Sequence, residues 1–330
     1  MPSPYFSNVL VFGATGEVGS AVALEACALG ARVSAAMRDI SKFNQWISPE
    51  EERAAGLERV SADLTDIESV RRVVRDTGAQ AAFIYAVRSQ DMLRGAIAAL
   101  RDAGIQYVVF LSTSQLLNAG TIKGDIRSID RHHFIPWQHA QIELGLEELG
   151  APHTAVRAGF FASNPLRIYL DRSSEPKQVN LLAPEILHDP IDPKDIGRVA
   201  ASALVNPRLY AGDYQPTNTS TSSKDIVYLS GPVLLSQDEQ WAIINRELAA
   251  AGKSQAKINH ITVEEYLKNL VAHRVPEMVA KSLAKSMTET RALSTAEDYE
   301  TQRGNIELLI GREATSFEDF VRREIPRYFD

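Results

Sequence analysis

Three glycines spaced three residues apart constrain this chain more than any other feature of its sequence. Gly13, Gly16 and Gly19 follow the apolar run at residues 8–12 and precede a helix-forming segment at 17–29. The first glycine permits a sharp turn, the second lets the backbone approach a phosphate group, and the third lets the helix pack on the strand. The spacing therefore predicts a strand, a phosphate-binding turn and a helix near the start of the chain.

Short apolar segments alternate with helix-forming segments through the first half of the sequence. The predicted strands after the first lie at 32–36, 58–62, 81–85, 107–111 and 153–157. The predicted helices between them lie at 66–75, 91–103 and 137–149, the first opened by a Thr65–Glu68 capping box. Such alternation needs crossover connections, which give a parallel sheet with helices on both faces. The fold class predicted is α/β, a Rossmann-type doubly wound parallel sheet.

The rhythm changes after residue 158. Polar segments at 171–180 and 206–223 are expected to be loops, and several later helix starts carry capping signals. We predict a dinucleotide-binding domain at 1–158, to which elements near 191–205 and 225–234 return. Residues 159–330 are predicted to form a smaller, mainly helical lobe that binds substrate.

Composition excludes several classes of function. The chain has 35 Lys and Arg against 42 Asp and Glu, a net charge of −7, and no basic block, so we expect no nucleic-acid partner. No segment approaches the roughly 18 apolar residues of a membrane span, and the N-terminus lacks signal-peptide features, so a cytoplasmic location is expected. Cys27 is the single cysteine and is expected to be an inert core thiol. The seven histidines suggest no metal site, because no companion carboxylates lie at a ligand spacing.

Several stretches match one family pattern. They lie at 13–19, 37–39, 62–66, 108–114, 156–164, 191–198 and 311–320. Together they resemble the short-chain dehydrogenase/reductase superfamily, and more closely its atypical NmrA-like branch, which also contains isoflavone and phenylcoumaran benzylic ether reductases. The resemblance spans nearly the whole chain and implies a dinucleotide-binding protein, without specifying a reaction.

The second strand indicates which dinucleotide is bound. It ends at Met37 and is followed by Arg38, with no Asp or Glu at the strand tip to accept ribose hydroxyls. A guanidinium can pair with a 2′-phosphate, and Lys42 adds charge nearby. The alternative is that Arg38 is a solvated surface residue, but the resemblance implies NADP(H). Asp63 is expected either to contact the adenine amino group or only to open a helix.

The expected cofactor contacts combine the glycine turn, the basic strand end and the tips of later strands. They are Gly13, Thr15, Gly16, Glu17, Val18, Gly19, Arg38, Lys42, Asp63, Leu64, Ala86, Ser112 and Phe160. Within this set Ser112 is also expected to be buried and structural.

The sequence lacks the Tyr-x-x-x-Lys pair that the superfamily uses for proton transfer. None of the ten tyrosines has a lysine four residues later. By resemblance, His139 stands at the lysine position and Ile135 at the tyrosine position. His139 is expected either to donate a proton or to hydrogen-bond the nicotinamide ribose. Ser114 stands where the superfamily has its substrate-orienting serine.

The substrate is expected where the second lobe covers the carboxyl ends of the strands. Its predicted contacts are His133, Trp137, Phe161, Asn164 and Tyr169, although each aromatic side chain could instead pack in a core. An aromatic wall suits a moderately large apolar or phenolic molecule.

Three functions remain open from sequence. The first is an NADP(H)-dependent oxidoreductase acting on a small, natural-product-like substrate. The second is a redox sensor that binds NADP(H) and regulates a protein partner without turnover. The third is an isomerase or cyclase that keeps NADP(H) bound. An enzyme should keep a cavity beside the nicotinamide, whereas a sensor can fill that space with side chains.

Overall fold

Seven parallel strands form the central sheet. The computed structural model describes residues 3–42, 44–117, 125–207, 225–272, 275, 277–289, 299–300 and 302–329. The strands of this sheet are β1 Asn8–Phe12, β2 Arg32–Met37, β3 Glu58–Ser61, β4 Ala81–Tyr85, β5 Tyr107–Thr113, β6 His153–Ala158 and β10 Asp225–Leu229. Their order is β10-β6-β5-β4-β1-β2-β3. The order reverses between β1 and β4, which opens a crevice at the carboxyl ends of the strands. The predicted fold class is confirmed.

Helices cover both faces of the sheet. The helices of this half are α1 Glu17–Ala28, α2 Pro49–Ala55, α3 Ile67–Thr77, α4 Arg94–Asp102, α5 Phe134–Glu148 and α6 Pro193–Val205. One core lies between the sheet and the α1–α6 pair, and a second lies under α3 and α4. A Cβ on Gly197 would lie 2.4 Å from the Cβ of Ala21. Glycine at this position therefore lets α1 and α6 pack closely.

The capping box predicted for α3 is wrong. Asp66 caps the helix, and its carboxylate accepts the backbone amides of Glu68 and Ser69. Thr65 instead donates its amide and hydroxyl to Asp63. A carboxylate that can accept two amides displaces the threonine hydroxyl from this role.

The second region has its own core and two small sheets. Its strands are β7 Leu170–Asp171, β8 Gln178–Leu181, β9 Leu187–His188, β11 Leu235–Ser236 and β12 Lys257–His260. Its helices include a π-helix at Pro165–Tyr169, α7 Gln237–Ala250, α8 Val263–Ala272, α9 Glu277–Glu289, α10 Asn305–Ile310 and α11 Phe317–Phe329. Trp241, Phe317 and Phe320 are fully buried at its centre. Among the residues described, every helix is too short or too polar to span a bilayer.

The two loops predicted for this region, at 171–180 and 206–223, have different outcomes. The segment 171–180 was expected to be a loop, but its last residues join β8, which pairs with β7 and β12. Alternate burial along β8 drives this strand, since Val179 and Leu181 face the core. The other predicted loop, 206–223, lies outside the described residues from 208 onward. The domain boundaries stay a prediction.

Candidate active site

The glycine turn joins β1 to α1 with little free space around two of its glycines. Gly13 has φ +71°, and a Cβ there would lie 2.6 Å from the ring of Tyr85. A Cβ on Gly19 would lie 2.2 Å from the carbonyl oxygen of Gly13. Gly16 is exposed and caps α1, and no described side chain caps the helix there. The first-turn amides are therefore available to an anion.

Asn44 fixes the shape of this turn, and sequence reasoning missed it. Its side-chain amide donates to the Ala14 carbonyl at 3.0 Å, and the Ser20 hydroxyl donates to the same oxygen at 2.7 Å. Asn44 is buried although it lies in the loop after β2. Nothing in its local sequence signals this contact, which depends on the path of the loop.

The basic strand end leaves one guanidinium without an ion-pair partner. Arg38 directly follows β2, is exposed, and pairs with no carboxylate in the part of the chain that the structure describes. Burial raises the pKa of Tyr85, while Arg38 lowers it and Asp63 raises it, so both charges lie within electrostatic reach of that phenol. Lys42 is exposed nearby in sequence. One carboxylate oxygen of Asp63 accepts two hydrogen bonds from Thr65 in the turn before α3, which Asp66 caps. The contact of Asp63 with adenine stays a prediction.

Two expected cofactor contacts have side chains that belong to the cores. Val18 and Leu64 are each 5% exposed and pack on opposite faces of the sheet. Their side chains are not available to a ligand, because each is enclosed by apolar neighbours. Only their backbone groups can contribute to binding.

A cleft of about 340 Å³ lies at the carboxyl ends of β4, β5 and β6, against the start of α5. We call it the strand-end cleft. The predicted residues that line it are Ala86, Ser112, Ser114, His139, Phe160, Phe161 and Asn164. Tyr85, Ile135 and Gln138 line it as well. The structure therefore brings both predicted catalytic residues to one cavity.

Ser114 presents an unsatisfied hydroxyl at this cleft. The residue is 3% exposed, and its Oγ has no hydrogen-bond partner within the described residues. A buried hydroxyl without a partner costs free energy unless a ligand or water supplies one. Ser114 also lines the cleft, so a polar group bound there is a candidate partner for this hydroxyl.

His139 has one ring nitrogen committed to the backbone. Its Nδ1 lies 2.8 Å from the Ile135 carbonyl oxygen, and a carbonyl can only accept, so Nδ1 carries the proton. Burial lowers the pKa of His139. The imidazole is therefore neutral at neutral pH, with Nε2 as an acceptor. This arrangement favours the alternative in which His139 accepts a hydrogen bond from a ribose hydroxyl over the one in which it donates a proton.

A buried ion pair lies beneath the cleft and engages the hydroxyl of Ser112. The Ser112 hydroxyl donates to Glu143 at 2.5 Å. Arg157 donates to both oxygens of Glu143, at 3.0 and 2.6 Å, and also to the Tyr228 hydroxyl. Burial alone would raise the pKa of Glu143, but Arg157 and Ser112 hold it below its usual value. The Ser112 hydroxyl is committed to this pair, which agrees with the expectation that Ser112 is buried and structural, and its contact with a cofactor stays a prediction.

Three predicted substrate contacts lie away from the strand-end cleft. Trp137 packs beside Leu116 and Ile129, with Arg131 over its ring. Tyr169 is 4% exposed in the core of the second region. His133 precedes α5 and does not line the cleft. Trp137 and Tyr169 therefore follow the alternative in which an aromatic side chain packs among apolar neighbours.

Glu17 points to the second region. It accepts a hydrogen bond from the Ser163 hydroxyl at 2.7 Å, and Arg167 lies 3.6 Å from the same oxygen. Burial raises the pKa of Glu17 to about 7. The Glu17 side chain joins the start of α1 to the π-helix, and its contact with a cofactor stays a prediction. Sequence reasoning did not identify Ser163 or Arg167.

Comparison with known proteins identifies the family. The model of the NmrA-like family matches residues 6–321. The chain belongs to the NmrA-like family. It is 74% identical over 330 residues to the nitrogen metabolite regulation-like protein bik4 of Gibberella fujikuroi, and the match covers 100% of both chains.

Solved structures share the fold of this NmrA-like protein at low sequence identity. The Citrobacter sp. triphenylmethane reductase complexed with NADP(H) has a TM-score of 0.62 at 18% identity. The Escherichia coli NADPH-dependent quinone oxidoreductase QOR2 complexed with NADPH has a TM-score of 0.62 at 16% identity. Each match covers 96% of this chain and 99% of the other. The NADP(H) expected from sequence is the dinucleotide present in both complexes of this fold.

The residues of this NmrA-like protein fit such a dinucleotide. Counting only partners in the described part of the chain, the glycine turn offers free amides, Arg38 an unpaired guanidinium and Ser114 an unpaired buried hydroxyl. These three groups follow the carboxyl ends of β1, β2 and β5, which lie on both sides of the crevice. Donors spread along that edge match an extended ligand with phosphates at its centre.

Proposed function

We propose that this protein binds NADP(H) along the carboxyl ends of the strands and reduces a small organic molecule in the strand-end cleft. The observation that carries the proposal is the buried hydroxyl of Ser114, which has no partner among the described residues and belongs to the lining of a cleft of about 340 Å³. That volume lies within the range of small-molecule sites, about 300–1,000 Å³. A pocket filled by its own side chains, as expected of a sensor, would not leave this space.

Each residue of the cleft has a distinct task in this proposal. NADPH supplies a hydride when it is bound. Ser114 hydrogen-bonds the polar group of the acceptor molecule, and His139 orients the nicotinamide ribose by accepting from a hydroxyl through Nε2. Phe160 and Phe161 supply apolar wall. The site suits a moderately large apolar or phenolic molecule.

The missing Tyr-x-x-x-Lys pair limits the class of substrate. A quinone, an iminium or a polarised enone accepts a hydride without a strong acid beside it. Solvent then supplies any proton that completes the reduction of a quinone or enone. We therefore expect activity on these classes in preference to simple ketones, which need a proton donor at the oxygen.

The test is NADPH oxidation by the purified protein with a panel of quinones, enones, imines and simple ketones. We expect turnover with at least one of the first three classes, and Ser114→Ala lowering it by roughly 10²-fold. Ser34→Ala is the matched control, because Ser34 is also fully buried with an unpaired Oγ but lies within β2. Equal activity of Ser114→Ala and the unmodified protein would remove Ser114 from the site.

A second variant separates the two roles considered for His139. As an acceptor to the ribose, His139→Phe should raise the KM for NADPH without moving the pH profile. As a proton donor, the same change should lower turnover by roughly 10²–10⁴ and remove a titration near neutral pH. The second pattern would contradict the neutral, Nδ1-protonated ring.

The name of the 74% identical relative favours a second candidate function, a dinucleotide-binding regulator without turnover. In that case the protein should bind NADPH and NADP⁺ with different affinities and show no activity across the panel. Calorimetry with both forms, combined with the activity panel, distinguishes the two functions. Turnover with any class favours the reductase, and discriminating binding without turnover favours the regulator.

A further inference from the structure

A second cleft borders the glycine turn. It has a volume of about 280 Å³. Thr15, Gly16 and Glu17 line it from the start of α1. Three arginines line it from the second region: Arg167, Arg172 and Arg327. We call it the arginine cleft. The three arginines are at least 150 positions away in sequence from Thr15, Gly16 and Glu17, which they face across the cleft.

Aromatic rings hold two of these arginines in place. The guanidinium carbon of Arg327 lies 3.9 Å from the ring centre of Trp46, and that of Arg172 lies 4.5 Å from the ring centre of Tyr328. Stacking occupies the face of a guanidinium and leaves its N–H donors at the edge available. The rings therefore orient these arginines without neutralising them.

The cleft carries more positive than negative charge. Arg167 faces Glu17 at 3.6 Å, and Arg327 faces Glu324 at 3.4 Å. Glu324 also pairs with Arg323 at 2.9 Å, so it does not serve Arg327 alone. The buried position of Glu17 disfavours its charged form. Among the described residues, Arg327 therefore shares its carboxylate with Arg323, Arg167 faces a carboxylate whose ionisation burial disfavours, and Arg172 has no ion-pair partner.

The amides at the start of α1 add to this preference for an anion. Gly16 begins the helix with no capping side chain among the described residues, and it is part of the cleft wall. Guanidinium forks recognise phosphate oxygens by paired hydrogen bonds. A phosphate group therefore matches both sides of the arginine cleft.

We propose that Arg167, Arg172 and Arg327 form a phosphate clamp that holds a dinucleotide between the glycine turn and the second region. The inference rests on the proposed NADP(H) binding and extends it to residues outside the sheet. The clamped phosphate is either the pyrophosphate, which NADPH and NADH share, or the 2′-phosphate, which NADPH alone carries. In both cases the second region supplies cofactor contacts as well as substrate contacts.

Calorimetric titration with NADPH and NADH tests the clamp. Each of Arg167→Gln, Arg172→Gln and Arg327→Gln is measured beside the unmodified protein. We expect roughly 10- to 100-fold weaker NADPH binding for at least two of them. An equal loss for NADH assigns the clamp to the pyrophosphate, and a loss confined to NADPH assigns it to the 2′-phosphate.

Arg246→Gln is the matched control. Arg246 is an exposed arginine of the second region that pairs with Glu247 and Glu318, outside the cleft. Its variant should bind both dinucleotides like the unmodified protein, and thermal unfolding should be cooperative for every variant. Unchanged NADPH and NADH affinity in all three cleft variants overturns the clamp. No dinucleotide binding by the unmodified protein overturns the proposed function instead, so the two failures are distinguishable.

Discussion

Charged side chains are fully paired beneath the strand-end cleft and incompletely paired around the glycine turn. Beneath the cleft, Glu143 is bound by Arg157 through two hydrogen bonds and by Ser112 through a third. Beside the turn, Glu17 has one hydroxyl partner and a guanidinium at 3.6 Å, and Arg38 has no ion-pair partner among the described residues. Full pairing fixes the architecture of the site, whereas incomplete pairing leaves charge for a ligand. The predictions below test this difference.

Breaking the buried pair should have the largest effect. Arg157→Met leaves Glu143 buried without its cation, and we expect a loss of about 3–5 kcal/mol in the free energy of unfolding. Urea denaturation measures it. Glu143 and Arg157 side chains are each 5% exposed, so water cannot replace the lost partner. A loss below 1 kcal/mol would contradict the view that this pair supports the cleft.

Glu17 should make stability depend on pH in the direction opposite to an ordinary salt-bridged acid. Its pKa is about 7 in the folded protein against a usual value of 4.5, so the folded state binds the extra proton between these values. Stability from this group is then present below about pH 4.5 and is lost as pH rises through 7, by up to about 3 kcal/mol. Urea denaturation at several pH values measures the slope.

The matched variant for this test is Glu17→Gln, which cannot ionise. The charged and titratable groups that face Glu17 are Arg167, Asp192, Glu324 and Tyr328, and they remain in the variant. We expect the variant to lose the part of the slope between pH 4.5 and 7 that the unmodified protein shows. An identical slope in both proteins would assign the pH dependence to those other groups.

Replacing Arg38, which has no ion-pair partner among the described residues, should change the preference for NADPH over NADH. Arg38→Ala should weaken NADPH binding by roughly 1.5–3 kcal/mol, the value of a hydrogen bond to a charged group. NADH binding should change little, because NADH lacks the 2′-phosphate. Calorimetry with both dinucleotides gives the two affinities. If the unmodified protein bound the two equally, Arg38 would be a solvated surface residue.

The smallest effect on stability should come from breaking a solvent-exposed ion pair. Arg53 and Glu50 pair at 2.8 Å on α2, and both side chains are 74% exposed. Arg53→Gln should change the free energy of unfolding by less than about 1 kcal/mol. The same denaturation experiment gives the loss in the free energy of unfolding for Arg157→Met. Comparing the two losses separates the contribution of burial from that of pairing alone.

Local sequence signals predicted the fold and about half of the candidate site. The glycine spacing, the apolar runs and the absence of an acid after β2 are all local features of the sequence. In the structure Gly13 and Arg38 directly follow β1 and β2, Gly16 caps α1, and Gly19 lies in the first turn of that helix. Ser114 and His139 were found because they also follow or face the end of a strand. The resemblance to the NmrA-like family added the expected dinucleotide.

The remaining site residues depend on contacts between distant segments. Asn44 reaches Ala14 across 30 positions, and Ser163 reaches Glu17 across 146. No local pattern marks such partners, because each is an ordinary polar residue until the fold brings it to a buried carbonyl or carboxylate. The apolar neighbours of Trp137 and Tyr169 also come from other segments of the chain, so the sequence could not identify them.

The sequence by itself determined a phosphate-binding turn at the head of a parallel sheet, since backbone freedom and hydrophobic period are local properties. Only the tertiary structure decided which charges are neutralised. Glu17 and Glu143 are both glutamates on helices that pack on the sheet, yet burial raises the pKa of one and Arg157 lowers that of the other. The physical reason is that a pKa follows from desolvation and from the nearest opposite charge, and both are set by the packing of distant segments.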